Sequence, residues 1–277
     1  MLKNPPNLIN MRQIQLFLLL FTATVCKGQL NIKYSILHCD SIFEENRGAF
    51  VLYDFHKDNY KVYNYDNAKT EYPVHSTSKI IWSIIGLEEK LVKSQDDIVV
   101  WDSIKYPRQN LFDKSWSKNQ TIVTALNQSV NWYYFDLLSL MTPEMVGKYL
   151  NNLAYKKEFK AERVDYFWLS SNIKKSTFAQ IDFLKRLYSN EIKISEKTLE
   201  IIKKGLIRQR TDDYIMYSKG GLGPIDSQNQ IGWYFGFVEK GKDVYFFALY
   251  VVNKDQALAG KLRIDYSMRI MKSLGII

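Results

Sequence analysis

Cysteine is nearly absent: the 277 residues contain two, Cys26 and Cys39. Histidine is as scarce, and His38, His56 and His75 stand at no spacing that a metal site uses. Structural and catalytic zinc sites draw on cysteines and histidines a few residues apart, so a zinc hydrolase is excluded and no metal is expected. A lone Cys39 forms no internal disulfide and reads as a small buried apolar residue. Linkers rich in glycine, proline or serine, repeats and low-complexity blocks are also lacking. One folded unit is therefore the economical reading. The apolar run Leu16–Val25 has about half the ~20 residues needed to cross a bilayer, so no permanent transmembrane segment is expected.

That run has a different meaning. Lys3 and Arg12 precede it and small or polar residues follow it up to Gly28. A basic start, a short apolar stretch and a small residue at the cut site make a secretory signal peptide. The expected organisation is a leader over 1–28 and a folded domain over 29–277, with Met1 or Met11 as the start. A lipid tether on Cys26 ranks second, because Ala23, Thr24 and Val25 fit a lipoprotein cleavage signal poorly. The formal charge of +9 falls to +6 once Lys3, Arg12 and Lys27 are removed. Without a recognisable nucleic-acid module, this excess reads as a solvated basic face, and no nucleic-acid partner is expected.

Residues 48–54 and 59–65 alternate aromatic or β-branched side chains with polar ones around the turn 55–58, as a hairpin does. Residues 77–90 are apolar at helical spacing, which places Ser76 at a helix start. The stretch from Thr121 to Leu150 is helical with a break at Thr142-Pro143, and 177–190 and 195–207 read as two more helices. Strands return at 231–239 and 244–252, and 256–273 closes the chain as a helix. The predicted class is α+β: an antiparallel sheet built from both chain ends and flanked by helices, with an all-helical lobe between them.

Three short motifs follow one another in the order an acyl-serine enzyme needs. In Ser76-Thr77-Ser78-Lys79, the i and i+3 positions of a helix share one face, so a hydroxyl and an amine can meet. A serine needs such a base to become a nucleophile, and a helix start offers N–H groups to an oxyanion. Ser129-Val130-Asn131 follows about fifty residues later, and Lys219-Gly220-Gly221 about ninety after that. Taken singly, the three read as a capped helix with a solvent-facing lysine, a helix cap and a turn. Together and in order they point to a penicillin-recognising serine hydrolase.

The chain closely resembles the class D β-lactamases, the oxacillinases. The resemblance rests on GAFVLYD, AKTEYPVHSTSK, Trp101-Asp102, Ala125 to Val130, Phe167-Trp168-Leu169, GWYFGFVEKGKDVYFFAL and the last helix, and spans roughly 48–277. It implies that Ser76 is the nucleophile that opens β-lactam substrates, and that Lys79 is the general base and carries a carbamate formed with carbon dioxide. It implies that the Trp168 indole holds that carbamate, that Ser129 relays a proton to the leaving nitrogen and that Lys219 supplies positive charge. The Ser76 and Leu222 N–H groups would form the oxyanion hole, and Arg263 would bind the substrate carboxylate beside Gly220 and Gly221. No other cofactor is implied. An exported protein of this chemistry is expected in a bacterial periplasm.

Four positions depart from the family pattern. Ser78 replaces a phenylalanine and Asn131 a valine, and both changes make the lysine pocket more polar. Asn131 also creates Ser-x-Asn, as in penicillin-binding proteins and β-lactam sensor domains, which acylate and release slowly. Gly220 replaces a threonine, so Arg263 bears more of the substrate carboxylate, and Tyr155-Lys156-Lys157 stands where Tyr-Gly-Asn is usual. Acylation without useful turnover, or an inactive relative that binds cell-wall fragments or a protein, are the alternative readings.

Overall fold

The computed structural model describes residues 33–108, 113–155, 159, 164 and 173–277. The expected leader with Met11 and Cys26, the Phe167-Trp168-Leu169 stretch, Lys156 and Lys157 lie outside the described residues.

A short strand β1 (Tyr34–Ile36) and one helical turn α1 (Asp40–Phe43) precede the expected hairpin of β2 (Arg47–Asp54) and β3 (Asn59–Tyr63). The hairpin turn closes because the Asp54 carboxylate accepts the N–H groups of His56 and Lys57, at 3.1 and 3.0 Å. After α2 (Tyr65–Lys69) and β4 (Tyr72–Pro73), a 3₁₀ turn at His75–Ser78 runs straight into α3 (Lys79–Glu88). The middle of the chain contributes α4 (Asp113–Trp116), α5 (Ile122–Gln128), α6 (Asn131–Ser139) and α7 (Pro143–Asn152). A small strand β5 (Lys174–Lys175) pairs with β4, and α8 (Thr177–Tyr188) and α9 (Glu196–Leu206) follow. Thr142, Ser176 and Ser195 each cap their helix by accepting a first-turn N–H, which satisfies donors that the helix itself leaves open.

The C-terminal part forms β6 (Ile207–Arg210), β7 (Ile215–Pro224), β8 (Gln230–Lys240), β9 (Asp243–Asn253) and the long α10 (Gln256–Ser273). Gly241, at φ +59°, supplies the tight turn between β8 and β9. The large sheet has the order β1-β3-β2-β9-β8-β7-β6, so β2 and β9 join the two ends of the chain along Arg47↔Val252 to Asp54↔Tyr245. The α+β class and the chain-end sheet agree with the sequence reading.

Two local expectations are corrected. The sheet is mixed, because β1 runs parallel to β3. The helical middle breaks at Ser129-Val130 as well as at Thr142-Pro143, and Ser129 takes a left-handed φ of 59°. Lys219-Gly220-Gly221 lies inside strand β7, so the turn it suggests when taken singly is not formed.

The sheet buries both faces, and its strands alternate between two cores. Ala49, Val51, Trp233, Phe235, Ala248 and Tyr250 face the helical lobe. Phe50, Leu52, Tyr234, Phe247, Leu249 and Val251 face α10 through Tyr266, Ile270 and Met271. Within the lobe, α3 is buried on every side: Ile80, Ile81, Trp82, Ile84 and Ile85 have no exposed surface. A helix that is apolar all round belongs in a core, and α3 therefore carries its first residue, Lys79, inside with it. Cys39 is a free, buried thiol, and burial pushes its pKa up to about 11. Among the described residues no helix is long and apolar enough to cross a membrane.

The pairing of β7 with β8 needs glycine at 236. A Cβ there would collide with the Tyr217 carbonyl oxygen and stand 2.8 Å from the Ser218 Cα, both backbone atoms of the neighbouring strand. Neither can swing away as a side chain does, so Gly236→Ala is expected to cost about 3 kcal/mol of stability. Urea unfolding measures this, and a midpoint equal to that of the natural sequence would refute it.

Candidate active site

Ser76 is the second residue of the 3₁₀ turn, and the structure fixes that turn from several directions. The Trp233 indole donates to the Pro73 carbonyl at 2.8 Å, which anchors the approach to the turn from the sheet. Thr77 donates its hydroxyl to the Val74 carbonyl at 2.8 Å and accepts from the Gln180 amide at 3.1 Å. Ser78 donates to the His75 carbonyl at 2.7 Å and accepts from the Trp82 indole at 3.1 Å. The hydroxyl that replaces the family's phenylalanine is thus fully buried and internally satisfied, so it brings no unpaired polar group to the lysine pocket. Among the described residues the half-buried Ser76 hydroxyl makes no hydrogen bond.

Strand β7 alternates its faces beside this turn. Gly221 and Gly223 face it: a Cβ at 221 would meet the Val74 carbonyl at 2.7 Å, and one at 223 would meet the His75 ring at 2.5 Å. Glycine lets the serine turn lie directly on the strand. Ser218 and Gly220 look the other way, towards Tyr234 and α10. Lys219 reaches back into the space between the strand and the α5–α6 junction.

At that junction Ser129 caps α5 in the left-handed region, and two lysines converge on it. Lys219 Nζ donates to Ser129 Oγ at 2.8 Å, and Lys79 Nζ donates to the same oxygen at 3.2 Å. Lys79 also donates to the Ser129 carbonyl at 2.6 Å and to Asn131 Oδ1 at 2.5 Å. The rings of Tyr134 and Trp116 lie 5.2 and 5.9 Å from its nitrogen. Lys79 has no exposed surface and Lys219 has 1%. Burial pushes both amines well below the ordinary lysine range, and for Lys219 the charges of Lys79, Arg208 and Arg263 push the same way. A lysine held so gives up its proton more readily than one in water and can act as a base.

These groups border a cleft of about 420 Å³. Ser76, Ser129, Asn131, Lys219, Gly220 and Leu222 line it, and Arg263 closes one end. The Arg263 guanidinium lies over Gly220, where a Cβ would stand 3.0 Å from its Cζ, and it donates to the Gly221 carbonyl. Burial lowers the Arg263 pKa to about 10. Of the residues singled out from the sequence, Lys79 lies buried behind Ser129 and does not line the cleft, Gly221 supports the serine turn and Trp168 lies outside the described residues. The cleft also contains residues that sequence reasoning missed: Arg208, Trp116 and Tyr234. No local motif marks them, since they come from three separate elements. A larger open hollow of about 790 Å³ around Glu44, Arg47, Asn229 and Lys254 carries no comparable set of groups.

Residues 42–272 match the family described as the penicillin binding protein transpeptidase domain. The chain belongs to the class D β-lactamase and transpeptidase domain family. It is 30% identical to "Probable beta-lactamase YbxI" of Bacillus subtilis over 89% of this chain and 88% of that protein. It is 28% identical to "Regulatory protein BlaR1" of Staphylococcus aureus over 91% of this chain, but spans only 42% of that longer protein. The crystal structure of a class D β-lactamase from Sebaldella termitidis superposes with a TM-score of 0.82 at 30% identity, covering 89% of this chain and 99% of that one.

His75, next to Ser76, combines a left-handed φ of 47° with a side chain only 7% exposed and an Nε2 that has no hydrogen-bond partner among the described residues. Burial lowers its pKa to about 4, against the weaker opposing pull of the Pro224 backbone. The unfolded chain protonates more readily, so stability is full above pH 6.5 and is lost as pH falls from 6.5 towards 4. The loss amounts to about 3 kcal/mol at most. Thermal unfolding across this range should show a shallower acid loss in His75→Asn, since asparagine tolerates the left-handed backbone. Parallel profiles for the two proteins would rule the titration out.

Proposed function

We propose that this protein is a serine β-lactamase: β-lactams acylate Ser76, and water then releases the opened product. The observation that carries the reading is the convergence of two buried lysines on one serine hydroxyl in the cleft that holds Ser76. The 30% identity to class D enzymes over most of the chain supports it.

In this reading Lys79, whose charged form burial disfavours, takes the Ser76 proton from its neutral state as Oγ attacks the lactam carbonyl. The Ser76 and Leu222 N–H groups stabilise the oxyanion. When the carbon–nitrogen bond breaks, Ser129 gives its proton to the departing nitrogen and is resupplied from the lysine side, where Lys219 also holds its oxygen. Arg263 pairs with the substrate carboxylate, for which a guanidinium has a matching planar geometry. Water then attacks the ester carbonyl and Ser76 recovers its proton. Export to a bacterial periplasm through the 1–28 leader is part of the same proposal.

Class D enzymes are known for a carbamylated lysine, and Lys79 is the residue that would hold the group. Its burial suits the reaction, because only a neutral amine takes up carbon dioxide. Its described polar neighbours suit it less: the Ser129 carbonyl, Ser129 Oγ and Asn131 Oδ1 all accept from Nζ. Three acceptors match the three N–H groups of an ammonium, whereas a neutral amine has two N–H groups and a carbamate keeps one and needs donors for its oxygens. Asn131 therefore favours a second reading, in which acylation is efficient and release slow.

Mass spectrometry of the protein mixed with benzylpenicillin separates these. A benzylpenicilloyl adduct is expected on the Ser76 peptide and is expected to vanish in Ser76→Ala; hydrolysis that survived this substitution would end the proposal. Clearance of the adduct over time marks a β-lactamase, and persistence marks a slow-release penicillin-binding protein.

Asn131→Val removes one acceptor from Lys79 and restores an apolar pocket. Release of the acyl group in bicarbonate is expected to quicken about tenfold in this variant, equivalent to 1.4 kcal/mol of barrier. Carbon-13 NMR should then show a carbamate signal in Asn131→Val and a weaker one in the natural sequence. Equal signals would show that Asn131 does not disfavour the modification.

A further inference from the structure

Arg208 has no place in the chemistry above, yet the structure delivers it to the cleft. Strand β6 pairs with β7 only along Ile215–Tyr217, and the register shifts between Ile207 and Gln209. Two residues of β6 advance there while one residue of β7 does, so Arg208 is the extra residue of a bulge. Bulges beside active sites turn a side chain out of the regular alternation. The bulge is braced from the other wall of the cleft, because the Asn127 amide donates to the Ile207 carbonyl at 2.9 Å. Asn127 belongs to α5, the helix that ends at Ser129.

Once in the cleft, Arg208 joins Lys219 and Arg263, and none of the described residues lining it is acidic. Among the described residues Arg208 makes no hydrogen bond or ion pair. Three cations line one cleft, and beside burial the charge of Arg208 adds to what disfavours the charged forms of Lys219 and Arg263. An unpaired, half-buried guanidinium in such company is costly unless an anion joins it. One substrate carboxylate on Arg263 leaves Arg208 unanswered.

The position of Arg208 also says where on the substrate a second anion must be. The bulge lies beside Tyr217, whereas Leu222, at the proposed oxyanion position, is five residues further along β7, roughly 17 Å at strand spacing. Tyr234, the partner of Gly220 across the sheet, is the electrostatic neighbour of both Arg208 and Arg263, so the two guanidiniums share the Gly220 side of the cleft, where the ring carboxylate is proposed to bind.

We propose that Arg208 and Arg263 form a two-guanidinium anion subsite that selects β-lactams bearing a second acidic group next to the ring carboxylate. The inference rests on the acyl-Ser76 reading. It adds a specificity for dianions whose second charge sits on the leaving side of the scissile bond.

The test compares acylation rate constants for two cephalosporins that differ only in the substituent beside the ring carboxylate. One ends in a methyltetrazole and the other in a sulfomethyltetrazole. The rate ratio, sulfonate over neutral, is expected to fall about tenfold in Arg208→Gln and to be largely kept in Arg208→Lys. Arg208→Met replaces the glutamine variant should that one fail to fold. The ratio for α-carboxybenzylpenicillin over benzylpenicillin, whose extra acid is on the acyl side, should not follow Arg208. An unchanged sulfonate ratio, or an equal fall in both ratios, would overturn the subsite.

A binding measurement that needs no chemistry at Ser76 keeps the two ideas apart. By calorimetry, isophthalate should bind more tightly than benzoate to the natural sequence, and the difference should disappear in Arg208→Gln. If no β-lactam acylates the protein but this difference is found, the subsite stands and the β-lactamase reading falls. If the difference is missing as well, the subsite falls too.

Discussion

Two buried lysine side chains meet at one serine oxygen at the edge of the cleft, and the rest of the site follows from the cost of that arrangement. Burying an ammonium group is expensive, and the least costly response is for it to shed its proton. Lys79 is carried inside by α3, whose apolar residues leave it no route to solvent. Lys219 is carried inside by β7. The left-handed turn at Ser129 presents both a hydroxyl and a carbonyl to these amines, and Asn131 adds a third acceptor. Stability and chemistry pull the same way here, since the environment that makes a charged lysine unwelcome also makes a neutral one reactive.

Gly220 and Arg263 form a second linked pair. The threonine usual at 220 would place its Cβ 3.0 Å from the guanidinium carbon as it lies here. Loss of a hydroxyl and the close approach of Arg263 to the strand are one structural change. Restoring threonine alone would require the end of the arginine side chain to give way by a few tenths of an ångström. The same strand uses its other glycines on the opposite face, to admit the serine turn.

Much of this was legible in the residues themselves. The hairpins, the amphipathic helices and the buried helix after Ser76 follow from periodicity, and the three motifs in order name residues that the structure gathers at the cleft. What was hidden depends on tertiary contacts. Two adjacent glycines in Lys219-Gly220-Gly221 signal a turn by local rules, but the demand for close packing places them in a strand. Ser129 carries no local mark of a left-handed backbone, so the helical run from Thr121 looked continuous. The hydroxyl of Ser78 looked like a polar intrusion until its two partners, the His75 carbonyl and the Trp82 indole, were placed. Arg208, one of 38 basic residues, looked like part of a solvated face, because nothing local foretells a bulge.

The pairing of β2 with β9 has a consequence for synthesis. Strand β2 ends at residue 54 and its partner begins at 243, so nearly the whole chain must exist before the sheet can close. Ser76, Lys79, Ser129 and Lys219 are all made earlier, yet the scaffold that brings them together is not. Contacts so distant along the chain form slowly, since a long loop must be ordered before they repay it. A nascent chain that stopped short of β9 would carry these four residues and still be inert, so this architecture makes completeness a condition of activity.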